Sequence, residues 1–181
     1  MKYNSNGLED LFEYETGKCI GILNGIDTEL WNPDTDTYLE HHFNTSTVTK
    51  GKQKNKELLC NTFGLDENKP LFIFIGRLVG EKAADVLPDA IRTVLWETKN
   101  EANFLILGSG DPTIEYRLEE IKYSHPKNYN FYKGYNEALS HQMYAGADFL
   151  LMPSRVEPCG LNQMYALRYG TMPLVRRTGG L

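Results

Sequence analysis

Long apolar runs are missing from this chain of 181 residues. The longest, Leu71–Ile75, falls far short of the roughly 20 residues that a membrane-crossing helix needs. Met1–Ser5 shows no apolar core of the kind that opens a secretory leader, so none is expected and a reducing cytoplasm is the expected setting. Cysteine is scarce. Cys19, Cys60 and Cys159 are odd in number and lie far apart, which excludes a disulfide framework and a CxxC metal site. The histidines are scattered, with His41-His42 read as a solvated pair, so neither a Cys–His nucleophile nor a metal pair is expected. No metal and no cofactor is expected. Positive charge is also short: 19 Lys and Arg against 24 Asp and Glu leave a net charge of −5. That excludes a general nucleic-acid binder, which needs clustered Lys and Arg.

Apolar residues at 41% and charged residues at 24% suffice for a packed core. Residues 1 to about 65 look mixed and irregular. Within them the polar stretch Asn44–Lys56, rich in Thr, Asn and Lys, is expected to be an exposed connection, ending in a helical-looking Lys56–Cys60. From residue 66 a regular alternation begins. Continuous apolar runs predict strands at 71–75, 103–107, 130–132, 148–152 and 172–175. Helical patterns fall at 84–98, 114–123, 137–144 and 161–169, with Asp111-Pro112 as a start signal and Gly170 as a stop. The fold class is therefore α/β: a Rossmann-like parallel sheet with helices on both faces, over residues 66–181.

In such a sheet ligands bind beyond the carboxyl ends of the strands, and the unusual residues of this chain gather in those loops. Arg77 and Lys82 follow the first strand, placed to converge on a diphosphate or else to remain surface cations paired with Glu81 or Asp85. Gly108-Ser109-Gly110 follows the second strand, either a turn that admits a base or ribose or a plain turn. Tyr135, after the third, is placed to stack on a base, although the chain has 11 tyrosines and a surface role is as ordinary. Glu157 is the strongest single candidate: held extended by Pro158, it precedes the turn Cys159-Gly160-Leu161-Asn162 at the mouth of a helix. Free amides and the partial positive charge of a helix start suit a phosphate, while the carboxylate reaches a neutral part of the same ligand. A nicotinamide oxidoreductase is excluded, because the first strand lacks GxGxxG and no ribose-binding acid follows the second.

Nearly end to end the chain resembles the bacterial and plant-type glycogen (starch) synthases. The resemblance rests on Gly21–Asp27, Trp31-Asn32-Pro33, Gly76-Arg77-Leu78 with Lys82, Tyr144–Asp148, Met152–Arg155, Glu157–Leu161 and Ala166–Leu181. It implies a retaining glucosyltransferase of the two-domain GT-B fold. Residues 1–65 then correspond to the interdomain connection, and residues 66–181 to a nucleotide-sugar-binding domain incomplete at its C-terminus. By the same resemblance Arg77 and Lys82 hold the donor diphosphate and Tyr135 stacks on the base. Glu157 meets the glucose hydroxyls, and Cys159, Gly160 and Leu161 line the sugar–phosphate turn. The implied partners are a nucleoside-diphosphate glucose, ADP-glucose favoured, and an α-1,4-glucan held by an N-terminal domain missing here. No nucleic acid and no membrane partner is expected, and uncovered apolar surface is expected to drive self-association. Asn162 stands where the family usually has Thr beside the phosphate, and Ala83 where Gly is usual. The absent N-terminal half implies that this piece alone is inactive. It also keeps a second reading open, a non-catalytic nucleotide- or glucan-binding remnant.

Overall fold

Residues 7–181 are described by a computed structural model, and Met1–Ser5 lies outside them. A short helix α1 (Glu9–Tyr14) and an extended arm lead to helix α2 (Val48–Phe63). Then follow β1 (Leu71–Ile75), α3 (Leu87–Glu97), β2 (Asn103–Gly108), α4 (Pro112–Ser124), β3 (Tyr129–Lys133), α5 (Glu137–Gly146), β4 (Phe149–Met152), α6 (Leu161–Arg168) and β5 (Met172–Val175). The five strands form one parallel sheet in the order β3-β2-β1-β4-β5. No described helix is long and apolar enough to cross a membrane.

The alternation of side chains along each strand builds two cores. Leu71, Ile73, Leu105, Leu107 and Leu150 face one way and pack with α2, α5 and α6. Phe74, Phe104, Ile106 and Phe131 face the other way and pack with α3 and α4. β2 is buried along its whole length, which is why its sequence reads as an unbroken apolar run. The strand order reverses at β1. The chain moves outward through β2 and β3, then returns to lay β4 and β5 on the other side. The crevice of this sheet type therefore opens between the carboxyl ends of β1 and β4.

The polar stretch Asn44–Lys56 is not an exposed connection. Most of it is the first half of α2, packed on the sheet side beside α5. Hydropathy hides this because the helix buries polar groups that carry their own partners. The Asn55 amide donates to the carbonyls of His41 (2.7 Å) and Gly51 (2.9 Å). Lys52 Nζ lies within 3.3 Å of the carbonyls of Tyr144, Ala145 and Tyr169 and of the Thr171 hydroxyl. Those carbonyls close the C-terminal ends of α5 and α6, where the helix dipole favours a cation. Lys56 pairs at 2.7 Å with Asp148, whose same oxygen accepts the Leu71 amide at 2.8 Å. One lysine fastens two helix ends, and the other fastens the start of β1.

The arm before α2 is docked on the α5–α6 face. The Trp31 indole stacks between His141 (3.8 Å between centroids) and Tyr165 (3.7 Å). Arg168 Nε donates to the Trp31 carbonyl at 3.1 Å. Buried Asp36 accepts from His141 Nδ1 (2.6 Å) and from the Tyr169 hydroxyl (2.5 Å). Burial pushes the Asp36 carboxyl up, but the bonds from His141, Tyr169 and the Tyr38 amide outweigh it and hold it below its usual range.

Burial pushes the Lys52 ammonium down to about 7, with the Lys56 charge adding to it and Asp148 opposing. An unfolded lysine titrates near 10.4, so between the two values the unfolded chain holds the extra proton. Raising the pH through that window favours the folded chain. The stability advantage of the native chain over Lys52→Met is therefore expected to widen from pH 7 to pH 10 in urea denaturation. A difference that stays flat or narrows contradicts the burial of this charge.

Candidate functional site

Beyond β1 the chain makes a turn rather than a helix start. Gly80–Lys82 and Ala84–Val86 form two single 3-10 turns before α3 begins, joined at Ala83 with φ 51°. This delay throws Lys82 across the crevice toward the loop after β4. There Lys82 Nζ meets Glu157 Oε2 at 2.6 Å, and the same oxygen accepts from the Ser154 hydroxyl at 3.2 Å. Both side chains are largely shielded, 24% exposed for Lys82 and 11% for Glu157. An ion pair this sheltered is short of water and strongly directional.

The loop carrying Glu157 is clamped on two sides. The amides of Arg155 and Val156 donate to the Glu81 carbonyl at 2.8 and 3.1 Å. The Arg155 guanidinium grips Asp85 with both terminal nitrogens (2.5 and 2.9 Å) and reaches the Gly80 carbonyl at 2.8 Å. From the other side the Gly180 amide donates to the Glu157 carbonyl at 2.8 Å, and Gln163 donates to the Gly180 carbonyl at 2.6 Å. The chain thus ties its first and last strand loops to the carboxylate.

Helix α6 opens at this point. Gly160 enters it in the left-handed region, φ 76°, where a Cβ would stand 2.6 Å from the Gln163 amide nitrogen. No side chain caps the first turn of α6. The same holds for α1, α2 and α3, whereas Asp111 caps α4 and Asn136 caps α5. Asn162 spends its own side chain on the Ile75 carbonyl at 2.7 Å and so ties α6 to the end of β1. The result is a cavity of about 330 Å³, walled by Ile75, Gly76, Met152, Pro158 and the turn Cys159–Asn162, with Lys82, Ser154 and Glu157 in its lining. Among the described residues no group of three or more metal-ligating side chains gathers.

Of the residues expected from sequence, the structure brings Lys82, Glu157, Cys159, Gly160, Leu161 and Asn162 around this one cavity. It does not bring the other four to its wall. The Arg77 side chain is 69% exposed and pairs with Glu81 at 3.3 Å, the surface pairing that the sequence left open for it. Tyr135 is 80% exposed. Gly108 and Gly110 are crowded by the protein's own backbone: a Cβ on either would collide with the carbonyls of Gly76 and Leu78 respectively. Leu78 bridges to Gly110, and its amide donates to the Ser109 carbonyl at 2.8 Å. The close approach these glycines permit is that of the β1 loop.

Sequence reasoning gives Asn24, Ser154 and Arg155 no individual role, although all three fall in the stretches Gly21–Asp27 and Met152–Arg155 that carry the family resemblance and Ser154 and Arg155 directly follow β4. Asn24 reaches the cavity from the irregular arm, and no periodicity signals that.

A family model described as glycosyl transferases group 1 matches residues 55–181. The glycogen synthase of Flavobacterium johnsoniae is 56% identical over 181 residues, which is all of this chain and 38% of that protein. Glycogen synthase 1 of Geobacter metallireducens is 46% identical over 177 residues, 97% of this chain and 34% of its own length. The chain therefore spans little more than a third of these relatives. Among solved structures, the catalytic domain of starch synthase IV from Arabidopsis thaliana, bound to ADP and acarbose, superposes with a TM-score of 0.89 at 39% identity, covering all of this chain and 37% of that one. The glycosyltransferase WaaG, at 22% identity and a TM-score of 0.56, shares the fold alone.

Removing either partner of the Lys82–Glu157 pair leaves a shielded charge alone. Lys82→Ala and Glu157→Ala are each expected to lower unfolding free energy by about 1–3 kcal/mol, and the double variant by less than the sum. Urea denaturation of the four proteins measures the coupling. Strict additivity would mean that the two side chains do not interact in solution.

Proposed function

This chain belongs to the group 1 glycosyl transferases, and from that premise we propose that it is the donor-binding part of a glycogen or starch synthase. The reaction is transfer of glucose from a nucleoside-diphosphate glucose, ADP-glucose favoured, to the 4-hydroxyl of an α-1,4-glucan with retention at the anomeric carbon. The observation that carries this reading is the shared cavity at the strand-order reversal, where Lys82, Glu157 and the uncapped start of α6 converge. The ADP-bound starch synthase IV structure supports a nucleoside diphosphate as the ligand.

In this reading residues 1–65 contribute the connection between the two halves of the whole enzyme, and residues 66–181 the donor half. The diphosphate lies against the α6 amides and draws Lys82 from Glu157. Arg77, on a long flexible side chain next in sequence to Gly76 of the cavity wall, swings from Glu81 to a phosphate oxygen. As the bond between the anomeric carbon and the phosphate oxygen breaks, these cations and the helix dipole stabilise the departing negative charge. Released from Lys82, the Glu157 carboxylate accepts hydrogen bonds from the sugar hydroxyls. Tyr135 stacks on the base, while Gly108 and Gly110 keep the β1 loop in register beneath it. A new bond forms between the anomeric carbon and the glucan 4-oxygen, whose proton leaves with the departing phosphate. The acceptor is held by the other half of the enzyme. The proposed setting is the cytoplasm, in keeping with three unpaired cysteines.

Calorimetry with ADP tests the donor role. Lys82→Ala and Arg77→Ala are each expected to weaken binding about ten-fold, one charge-assisted bond's worth. Glu157→Ala is expected to leave ADP affinity equal or higher, since it removes a competitor for Lys82. Undiminished binding in both cation variants contradicts the reading.

The chain on its own also exposes apolar surface. Met172, Leu174 and Val175 of the edge strand β5, and Ile20, Ile22 and Leu23 of the arm, are all more than 40% exposed. Gel filtration of the 181-residue chain is expected to shift to larger species as concentration rises. Strictly monomeric elution at high concentration would show that these surfaces do not associate.

A further inference from the structure

A second groove lies at the opposite end of the sheet from the Lys82–Glu157 cavity. It opens where α3 and α4 end and β2 and β3 begin, encloses about 590 Å³, and is lined by Leu95, Trp96, Glu97, Lys99, Asn100, Ser124 and His125. That volume lies within the roughly 300–1,000 Å³ of small-molecule clefts. We propose that this groove is a second carbohydrate-binding surface that takes a neutral stretch of α-glucan, separate from the donor site.

Three observations point to that ligand class. First, Trp96 lines the groove, is 80% exposed and lies outside both cores. A solvent-facing indole at a groove offers a flat apolar face, and the C–H face of a hexose ring is the complementary surface. Second, the polar lining is built for hydroxyl groups rather than for an anion. It offers an amide, a hydroxyl and an imidazole, and the single cation Lys99 is offset by Glu97. Burial, then the Arg92 charge, holds the His125 imidazole below its usual value, hence neutral at pH 7. Its Nδ1 lies 2.8 Å from Asn100 Oδ1, so with the amide oxygen accepting, Nδ1 carries the proton and Nε2 is an acceptor.

Third, the floor of the groove is strained and fixed. Lys99 and Asn100 are consecutive non-glycine residues in the left-handed region, φ 53° and 63°, a conformation lysine rarely adopts. It is held by the Asn100 amide on the Leu95 carbonyl (2.8 Å), the Lys99 amide on the Trp96 carbonyl (3.1 Å) and the Asn128 side chain on the Asn100 carbonyl (2.9 Å). These bonds close the C-terminal end of α3, and they fix the backbone turn that carries Lys99 and Asn100 along the groove.

The choice of α-glucan among oligosaccharides rests on the function proposed above. A polymer held here would raise the local concentration of its own chain ends at the enzyme. The test is electrophoresis of the 181-residue chain through native gels with and without soluble glycogen, with calorimetric titration of maltoheptaose. Native chain and Lys82→Ala are expected to be retarded alike. Trp96→Ala is expected to lose about three- to ten-fold in affinity, with its thermal midpoint unchanged because the side chain packs on no core. Equal retardation of Trp96→Ala and the native chain, or no retardation of the native chain, overturns the proposal. Parallel ADP titrations separate this surface from the donor site. Glucan binding without ADP binding defeats the donor reading and leaves the groove standing as a carbohydrate surface; ADP binding without glucan binding defeats the groove alone.

Discussion

The reversal of strand order at β1 governs the rest of this molecule. Right-handed crossovers send α3 and α4 to one face on the outward course, and α5 and α6 to the other on the return. Between β1 and β4 the two courses diverge, so no crossover helix covers the carboxyl ends of those strands. A cavity there follows from topology before any side chain is chosen. The side chains decide its chemistry. Delaying α3 by two tight turns sends Lys82 across the gap, and α6 opens beside it with no side-chain cap on its first turn.

Holding a carboxylate against a lysine in a partly dry cleft requires a stiff loop, because small shifts of a short charge-assisted bond are costly. Backbone amides of 155 and 156 anchor the loop to the β1 side, the Arg155–Asp85 fork holds the same junction, and the Gly180 turn closes over it. None of these three fasteners touches the cavity. They act by leaving Glu157 little freedom, and they couple three loops that come from distant parts of the sequence.

The sheet was legible because its strands are buried on both faces. An apolar run such as Phe104–Leu107 has no polar side to blur it, and each predicted strand and helix from residue 66 onward lies within a few residues of an observed one. The first half of helix α2 was illegible for the opposite reason. Lys52, Asn55 and Lys56 are inside or nearly so, each matched to oxygens that only the folded chain brings together, and hydropathy counts them as exposed. At the candidate site, position after a strand nominated Lys82 and Glu157, and the fold brings these two together in one cavity, since loop placement is a topological fact. It gave no account of direction: the same rule nominates Arg77 and Tyr135, whose side chains extend into solvent. Gly108 and Gly110 show a further ambiguity. A glycine required by close backbone approach looks the same in sequence whether the approaching group is a ligand or, as here, Leu78 and Gly76 of the chain itself.

The docking of the arm through Asp36 has a consequence for behaviour in acid. Three hydrogen bonds converge on that carboxylate, from a ring nitrogen, a phenol and an amide, and all three are strongest when it is ionised. Because its folded pKa sits below the ordinary carboxylate value, the joint keeps its full strength above about pH 4 and weakens only as the pH falls through that lowered value. Trp31 rides on the same joint, stacked on His141. Acidification through that value therefore slackens the tether that joins the arm to the sheet, a fastening that is tight at neutral pH and loosened in strong acid.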